Sequence, residues 1–309
     1  MCPSSSSLVY RFSPAAVLRI EGEDALAFLQ GQFTQELRHP IGPLAAYGLW
    51  LNQKGRVLGD SVALRAGPVW RLFSEGTAGS VLRERLEAYI IADDVTVEEE
   101  TDAWAAVTFV GPALEAAATE AGSALPPAGM HLAIEGGFLF RSRMAGPDGW
   151  TLLLPRDAGE PRWLADQPDA AFADLARRRI RSGWPAVPSE LGLQDLPNEG
   201  GLEESAISYT KGCYLGQEVM ARLKSMGQVR RKLRAVRGAV AVPAVLPAPL
   251  FSNGKRVGEL RSAVPLEGAA GFIGMAMLTL LGLDPTQPLA LEAEGGDVVR
   301  LLATEEGAP

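Results

Sequence analysis

The chain has 309 residues, of which 47% are hydrophobic and 21% charged, which is the composition of an ordinary globular protein long enough for two domains. Two cysteines are too few for a four-thiolate cluster site, and the absence of C-x-x-C and H-E-x-x-H spacings excludes an ordinary zinc site within one chain. The net charge of −8 disfavours a protein that coats nucleic acid or anionic membrane over its whole surface. No secretory pattern and no window near 18 apolar residues are present, which predicts a cytoplasmic protein without membrane contact.

The first part of the chain alternates strand and helix patterns. Residues 17–20 predict a short strand, and the apolar stripe of the following ALAFLQGQF predicts a helix with Asp24 as its N-cap. Residues 50–64 predict two strands joined at Gln53-Lys54-Gly55, because a glycine after polar residues suits a tight hairpin. Asp60 lies in the second of these strands.

Farther along, helices are predicted at 79–92 and 112–124, with a strand at 104–110 between them. This irregular alternation favours an α+β fold over a doubly wound α/β fold. Three prolines within 242–250 mark a break in composition, and Asn253-Gly254 beyond it predicts a hairpin. We therefore expect an α+β body at 1–239 and a small β domain at 240–309.

Cys213 lies in the run Lys-Gly-Cys-Tyr-Leu-Gly-Gln-Glu that begins at Lys211. Flanking glycines at 212 and 216 allow close approach of a ligand to the backbone. The Lys211 ammonium and a helix predicted to begin near Gly216 both favour the thiolate. A small buried apolar residue is the alternative interpretation, but these neighbours favour a reactive thiol.

The histidines offer no base for such a thiol. His39 and His131 lie in a loop-like and a strand-edge context, and both are expected at the surface. A Cys-His nucleophile of the protease type is therefore disfavoured.

Positive charge is concentrated around and after the cysteine. From 211 to 237 eight basic residues face one acid, for a net charge of +7 in a chain of net charge −8. This excess predicts an anionic ligand, with phosphate, carboxylate and RNA all compatible, although a solvated basic face is the alternative. The basic residues are Lys211, Arg222, Lys224, Arg230, Arg231, Lys232, Arg234 and Arg237.

Glu199 stands in a loop framed by proline and glycine, in the run LPNEGGL. A carboxylate accepts two parallel N–H donors from an amino-pyrimidinone ring, the group present in pterins and guanine. Glu199 is therefore a candidate reader of such a ring, with an ordinary solvated loop carboxylate as the alternative.

The run KGCYLGQEVMAR, preceded by LPNEGGLEESAISYT and followed by GQVRRKL, resembles the defining motif of the YgfZ family. RIEGEDALAFLQGQFTQEL, GRVLGDSVALR, RIRSGWPAVPSELG and GKRVGELRSA resemble other segments of that family, which is related to the glycine-cleavage T-protein. The resemblance implies two interleaved folate-binding domains that form a ring around tetrahydrofolate, with a C-terminal β-barrel. It also implies a role in iron-sulfur (Fe-S) cluster assembly or repair, with Fe-S client or assembly proteins as partners and an indirect effect on tRNA modification.

By the same resemblance Cys213 is the functional cysteine, acting as a reactive thiol or a transient Fe-S ligand, and Glu199 matches a carboxylate that binds pterin. One thiolate leaves a cluster site incomplete, so a partner or a second subunit would complete it. Residues expected to frame the cysteine or contact the cofactor are Lys211, Gly212, Tyr214, Gly216, Gln217, Glu218, Arg222 and Arg234.

One position departs from the T-protein pattern. T-proteins carry two adjacent aspartates where this chain has Gly59-Asp60, which favours folate binding without one-carbon transfer. The alternative hypothesis is a folate-dependent aminomethyltransferase in which Asp60 steers the amine. A third, direct binding of tRNA by the basic segment, predicts an affinity that falls steeply with salt.

Overall fold

The computed structural model describes residues 7–38, 42–120, 122 and 124–302; Cys2 and His39 lie outside them. Within this part the chain forms two five-stranded antiparallel sheets and one closed barrel. The strands are β1 (Leu8–Phe12), β2 (Ala16–Glu21), β3 (Ala45–Leu51), β4 (Val57–Ala66), β5 (Val69–Ser74), β6 (Thr96–Glu99), β7 (Trp104–Val110), β8 (Leu132–Ile134), β9 (Gly137–Arg141), β10 (Trp150–Pro155), β11 (Arg231–Gly238), β12 (Ala248–Ser252), β13 (Lys255–Pro265), β14 (Phe272–Thr279), β15 (Leu289–Ala290) and β16 (Asp297–Leu301). The helices are α1 (Ala25–Gln32), α2 (Gly79–Glu87), α3 (Ala113–Glu120), α4 (Arg162–Ala165), α5 (Phe172–Arg181) and α6 (Gln217–Met226).

The chain passes between the two sheets before it completes either of them. The first sheet has the order β3-β4-β5-β2-β6, and the second has the order β1-β7-β10-β9-β8. Strand β1 therefore belongs to the sheet that the chain completes only after it has built the other one. This arrangement confirms the prediction of an α+β body with two interleaved domains.

The two sheets pack face to face. Val17 and Phe73 of the first sheet share a buried cluster with Phe138 and Phe140 of the second. Phe73 and Phe140 meet edge to face, with ring centroids 5.3 Å apart. The outer face of the first sheet is covered by α1 and α2, and that of the second by α3 and α4.

Several local predictions are confirmed, with shifted ends. The predicted hairpin forms between β3 and β4, where Gly55 adopts a φ of +70°. Helix α1 forms as expected, but the Asp24 carboxylate accepts the amide of Asp94 at 2.9 Å instead of capping the helix. Helix α2 ends at Glu87 rather than at 92.

The barrel has the order β11-β14-β13-β12-β15-β16 and is closed by pairing of β11 with β16. The Asn253-Gly254 hairpin is confirmed between β12 and β13, with φ of +51° and +73°. The first strand of the barrel, β11, begins at Arg231. The proline-rich segment leads from β11 to β12, so it lies within the barrel and does not mark its start. The division of the chain at 239/240 stays a prediction.

Buried ion pairs join the barrel to the body. Arg179 of α5 holds Glu190 by two bonds of 2.7 Å within the body, and Glu190 also accepts the hydroxyl of Ser262 in β13. Asp195 pairs with Arg261 of β13. Arg231 of β11 pairs with Glu199. An apolar cluster that includes β3, α5 and β14 residues surrounds this contact. The segment 186–199 is therefore fixed between body and barrel.

Candidate functional site

A cavity of about 670 Å³ is bounded by residues from both sheets. This volume is in the range of small-molecule sites, about 300–1,000 Å³. The first sheet contributes the start of β3, and the second contributes the end of β9 with the loop that follows. The described residues that line the cavity are Gln35, Glu36, Leu44, Ala46, Tyr47, Ala128, Gly129, Arg141, Ser142, Arg143, Pro147, Trp184 and Ser205.

Arg143 is held in the cavity wall between two aromatic rings. Its guanidinium carbon lies 4.3 Å from the ring centroid of Tyr47 and 4.0 Å from that of Trp184. Its Nε and Nη2 are buried without a hydrogen-bond partner among the described residues, as are Trp184 Nε1 and Ser205 Oγ. Because unmet buried donors are costly, especially charged ones, this wall is suited to a ligand rich in acceptors.

Asp60 lies in a smaller pocket that shares Tyr47 and Arg143 with the cavity. Its carboxylate accepts three hydroxyl donors, from Tyr47 at 3.0 Å, Thr77 at 3.2 Å and Ser74 at 3.3 Å. Burial raises the pKa of Asp60 to about 6 although these donors favour the charged form. Asp60 thus lies in a pocket that adjoins the cavity, and its role stays a prediction.

The side chain of Thr77 explains why position 59 is a glycine. A Cβ on Gly59 would lie 2.3 Å from Thr77 Cγ2, a distance that requires a shift of the backbone or of Thr77. The same threonine donates to Asp60 through its hydroxyl. The space of a second aspartate is therefore filled by the residue that positions Asp60.

Glu75 is a second carboxyl group in the smaller pocket. It follows the last residue of β5, and Ser142 Oγ lies 3.5 Å from its Oε1. Burial, followed by the charge of Asp60, raises the pKa of Glu75 to about 7. Two acids in one small pocket disfavour ionisation of both at once.

Cys213 is exposed in the segment 211–216, which we name the cysteine loop. The loop ends at Gly216, whose φ of +85° suits glycine, and α6 begins at the next residue. A Cβ on Gly216 would lie 3.0 Å from the carbonyl oxygen of Asn52, so the loop packs closely on the β3–β4 hairpin. Cys213 is not among the described residues that line the cavity.

Lys211 is buried and faces the body of the protein. Its Nζ donates to the carbonyl oxygens of Phe33 at 2.7 Å and Gln35 at 2.9 Å. Burial lowers the pKa of Lys211 to about 8. Both observed hydrogen bonds of the Lys211 ammonium go to carbonyl groups and neither goes to the Cys213 thiol. The predicted stabilisation of the thiolate by Lys211 therefore involves no direct hydrogen bond. Lys211 instead ties the cysteine loop to Gln35 in the cavity wall.

Glu199 is held by an arginine and not by open solvent. Arg231 donates to both of its oxygens, Nε to Oε1 at 3.0 Å and Nη2 to Oε2 at 3.0 Å. The amide of Leu196 donates to Oε2 at 2.8 Å. These three donors leave the Glu199 carboxylate little capacity to accept a pair of ring N–H groups. Glu199 is also not among the described residues that line the cavity.

The other predicted contact residues are not part of the described cavity lining. Tyr214 is buried, and burial raises the pKa of its phenol. Glu218 and Arg222 are exposed on α6, and Arg234 is half-buried on β11. None of these four, nor Gly212 and Gln217, is among the described residues that line the cavity.

His131 corrects the expectation of a surface histidine. It is 6% exposed, its Nε2 lies 2.9 Å from the carbonyl oxygen of Arg65, and its ring packs edge-on against Phe138 at 5.0 Å. Burial lowers its pKa. It is a core residue of the sheet contact.

Local sequence patterns give no sign of Tyr47, Glu75, Arg143 or Trp184. Each is a single polar or aromatic residue in a strand end or loop, without neighbours that indicate chemistry. These four residues come together only in the folded chain, where the two sheets pack face to face. Trp184, in the run RIRSGWPAVPSELG, lay in a segment matched to the family but without an assigned role.

No group of three or more histidine, cysteine, aspartate or glutamate side chains is arranged to hold a metal ion in the described part of the chain. Among the same residues, no helix has the length and apolar character needed to cross a membrane.

Known proteins resemble this chain in sequence and in fold. Residues 6–125 match the GCVT N-terminal domain family. The human protein named Iron-sulfur cluster assembly factor IBA57, mitochondrial, is 29% identical, covering 96% of this chain and 83% of its own. The tRNA-modifying protein YgfZ of Yersinia pestis (strain Pestoides F) is 25% identical, covering 87% and 84%. The chain is similar to the YgfZ and IBA57 proteins over most of its length.

The fold comparison agrees with this relationship. The glycine cleavage system aminomethyltransferase T from Bartonella henselae superposes with a TM-score of 0.77, at 19% identity, over 96% of this chain and 84% of its own. The T-protein-like fold expected for a YgfZ relative is therefore confirmed, including the closed barrel that follows the two sheets.

Proposed function

We propose that the chain binds tetrahydrofolate or a related folate in the cavity and acts in Fe-S cluster assembly or repair, with an indirect effect on tRNA modification. The names of its human and Yersinia relatives support the second part. The observation that carries the first part is the set of unpartnered polar groups in the cavity wall, on Arg143, Trp184 and Ser205. A cytoplasmic location belongs to the same proposal, although the human relative is named mitochondrial.

The residues present fit a folate. The cavity volume suits one, and the donors of Arg143, Trp184 and Ser205 match its acceptor-rich rings and tail. When bound, tetrahydrofolate supplies an acceptor for one-carbon units. The protein's own part is to enclose the ligand and to place Asp60 and Arg143 beside it.

In this proposal Cys213 acts outside the cavity, as a reactive thiol or a transient ligand. Its exposure supports contact with a client or assembly protein, and a single thiolate requires a partner to complete any cluster site. In this proposal the motif residues around Cys213 set the conformation of the cysteine loop and do not bind the folate.

Titration of the wild-type protein with tetrahydrofolate, followed by tryptophan fluorescence and calorimetry, tests the folate part. Saturable binding at micromolar concentration is expected, and absence of saturation up to millimolar ligand would contradict it. The thiol part is tested by complementation of a strain that lacks its own YgfZ-type protein. Cys213→Ser is expected to fail, while Cys2→Ser, the matched control, rescues. Full rescue by Cys213→Ser excludes a thiol mechanism.

The second candidate function is aminomethyl transfer. The contacts of Asp60 in a pocket that adjoins the cavity favour it, since a fixed carboxylate there is placed to steer an amine. Formation of methylene-tetrahydrofolate from an aminomethyl donor, lost in Asp60→Asn, would support this function. If the wild-type protein forms no methylene-tetrahydrofolate at saturating folate, aminomethyl transfer is rejected and the binding function remains.

A further inference from the structure

Glu75 joins the first sheet to the loop that carries Arg143. It follows the last residue of β5, and its carboxylate accepts the backbone amides of Arg143 and Met144. Ser142 Oγ lies 3.5 Å from Glu75 Oε1 and itself accepts the amide of Met144 at 3.0 Å. One carboxylate of the first sheet therefore contacts three consecutive residues after β9 of the second sheet. We name these residues, 142–144, the Arg143 segment.

The backbone on both sides of Glu75 is fixed by close contacts. Gly76 packs on the carbonyl oxygen of Val187, which a Cβ at position 76 would approach to 2.5 Å. On the other side, Ser74 Oγ accepts the amide of Thr77 at 2.9 Å. The carboxylate of Glu75 is therefore carried by a turn with little freedom to move, and it provides a rigid support for the Arg143 segment.

The Arg143 side chain has weaker support of its own. Among the described residues, Nε and Nη2 of its guanidinium are buried without a hydrogen-bond partner. The guanidinium is held instead by stacking between the rings of Tyr47 and Trp184. Stacking on a ring is less directional than a hydrogen bond, so it leaves the exact position of the cation open. That position therefore depends on where the backbone of the Arg143 segment is held.

We propose that Glu75 is a positioning residue, whose ionised carboxylate holds the Arg143 segment and thereby fixes the Arg143 guanidinium in the cavity wall. Hydrogen bonds to a charged acceptor are about twice as strong as those to a neutral one. Loss of the charge on Glu75 therefore loosens the Arg143 segment without removing a side chain from the cavity. This role deepens the proposed function, and it rests on that function only for its effect on ligand binding.

Three ionisable groups from other elements share the small pocket with Glu75: Tyr47 of β3, Asp60 of β4 and Arg143. Burial, followed by the charge of Asp60, raises the pKa of Glu75 to about 7, while the two amides and the Arg143 charge oppose this rise. Burial raises the pKa of Asp60 to about 6, and it raises the pKa of Tyr47 well above its ordinary value, so this phenol stays neutral.

The two carboxyl groups of the pocket therefore titrate as a coupled pair close to neutral pH. Asp60 ionises first, and Glu75 gains its charge at higher pH. The hold of Glu75 on the amides of the Arg143 segment is expected to strengthen as the pH rises through this range.

Fluorine NMR of the full-length protein labelled with 5-fluorotryptophan tests the role of Glu75. The chain has six tryptophans, and the signal of Trp184, which stacks on Arg143, is assigned by its loss in Trp184→Phe. Spectra are recorded from about pH 5.5 to about pH 8.5, the range in which both carboxyl groups titrate. The samples are the wild type, Glu75→Gln, Asp60→Asn and the control Glu87→Gln, whose side chain is exposed on α2. Melting temperatures establish that each variant is folded.

The Trp184 signal of the wild type and of Glu87→Gln is expected to shift with a midpoint near pH 7. Glu75→Gln should lose this transition. Asp60→Asn should move the midpoint to lower pH, because the charge of Asp60 no longer opposes ionisation of Glu75. The positioning role is overturned if the wild-type signal does not titrate, or if the transition near pH 7 persists in folded Glu75→Gln. Should that variant not fold, an unchanged midpoint in Asp60→Asn overturns the role.

Calorimetry with tetrahydrofolate separates this role from the proposed function. Glu75→Gln is expected to weaken binding about threefold or more at about pH 8, but less than about twofold at about pH 6, where the wild-type carboxyl is itself largely neutral. Equal weakening at both pH values overturns a role of the charge. If the wild type binds no tetrahydrofolate while its Trp184 signal titrates as expected, the folate function fails and the positioning role stands.

Discussion

Replacement of Glu190 by glutamine is expected to destabilise the protein strongly. Glu190 and Arg179 are 1% and 7% exposed at the side chain and share two bonds of 2.7 Å. The glutamate also accepts the amide of Ala186 at 2.7 Å and the hydroxyl of Ser262 in the barrel. Glutamine removes the charge but not the volume, so Arg179 is left as a buried cation without its anion.

The magnitude follows from these contacts. A hydrogen bond to a charged group contributes about 1.5–3 kcal/mol, and breaking one side of a buried pair costs about 3–5 kcal/mol. We expect Glu190→Gln to lower the free energy of unfolding by about 3–5 kcal/mol. Glu87→Gln is the control, because its pair with Arg83 is about half exposed and should contribute less than about 1 kcal/mol.

Urea denaturation followed by tryptophan fluorescence measures both variants against the wild type. The slope of the free energy with urea is compared as well, because a changed slope would indicate that barrel and body no longer unfold together. A loss below about 1 kcal/mol for Glu190→Gln, with the slope unchanged, would refute the view that this pair fixes the 186–199 segment.

Three further predictions concern the site. The pKa of Asp60 is raised from 3.8 to about 6, so ionisation of this carboxyl destabilises the folded state as pH rises. Relative to the wild type, the free energy of unfolding of Asp60→Asn should therefore increase by about 1 kcal/mol between pH 5 and 8. A relative decrease over this range in thermal melts would contradict the sign. Gly59→Ala should cost about 1–3 kcal/mol in chemical denaturation, because its Cβ meets Thr77 at 2.3 Å, whereas Gly31→Ala, with nothing within 4 Å, should be neutral or stabilising. Lys211→Met should speed amide hydrogen exchange in the cysteine loop, since two carbonyl groups lose their donor; unchanged exchange would mean that Lys211 does not fix the loop.

The sequence predicted elements whose signals are local. The β3–β4 hairpin depends on Gly55 and the Asn253-Gly254 hairpin on two residues with positive φ, and such turns are specified by a few adjacent residues. Helix ends were less accurate, because the apolar stripe continues to Ile90 whereas α2 ends at Glu87. The interleaving of the sheets came from the resemblance, since pairing of β1 with β7 joins strands far apart in sequence.

The residues of the candidate site likewise fall into those that local sequence signals predicted and those that they did not. Cys213, Lys211 and Glu199 were identified because their neighbours in sequence carry a recognisable motif. Glu75 and Arg143 were missed because the contacts that give them meaning join different sheets. Glu199 shows the reverse error: its chemistry suits a ring N–H pair, but the sequence contains no sign that Arg231 of the barrel occupies both oxygens.

The separation of Cys213 from the cavity narrows what the cysteine can do. Cys213 is exposed and is not part of the described cavity lining, which favours a role in contact with a macromolecule over a reaction with a ligand in the cavity. The two regions are nevertheless connected, because Lys211 bonds the carbonyl oxygen of Gln35, a residue of the cavity wall. A ligand that displaces Gln35 therefore acts on the backbone that holds the cysteine loop. If the proposed function holds, this bond is the contact through which occupancy of the cavity is expected to affect the cysteine loop.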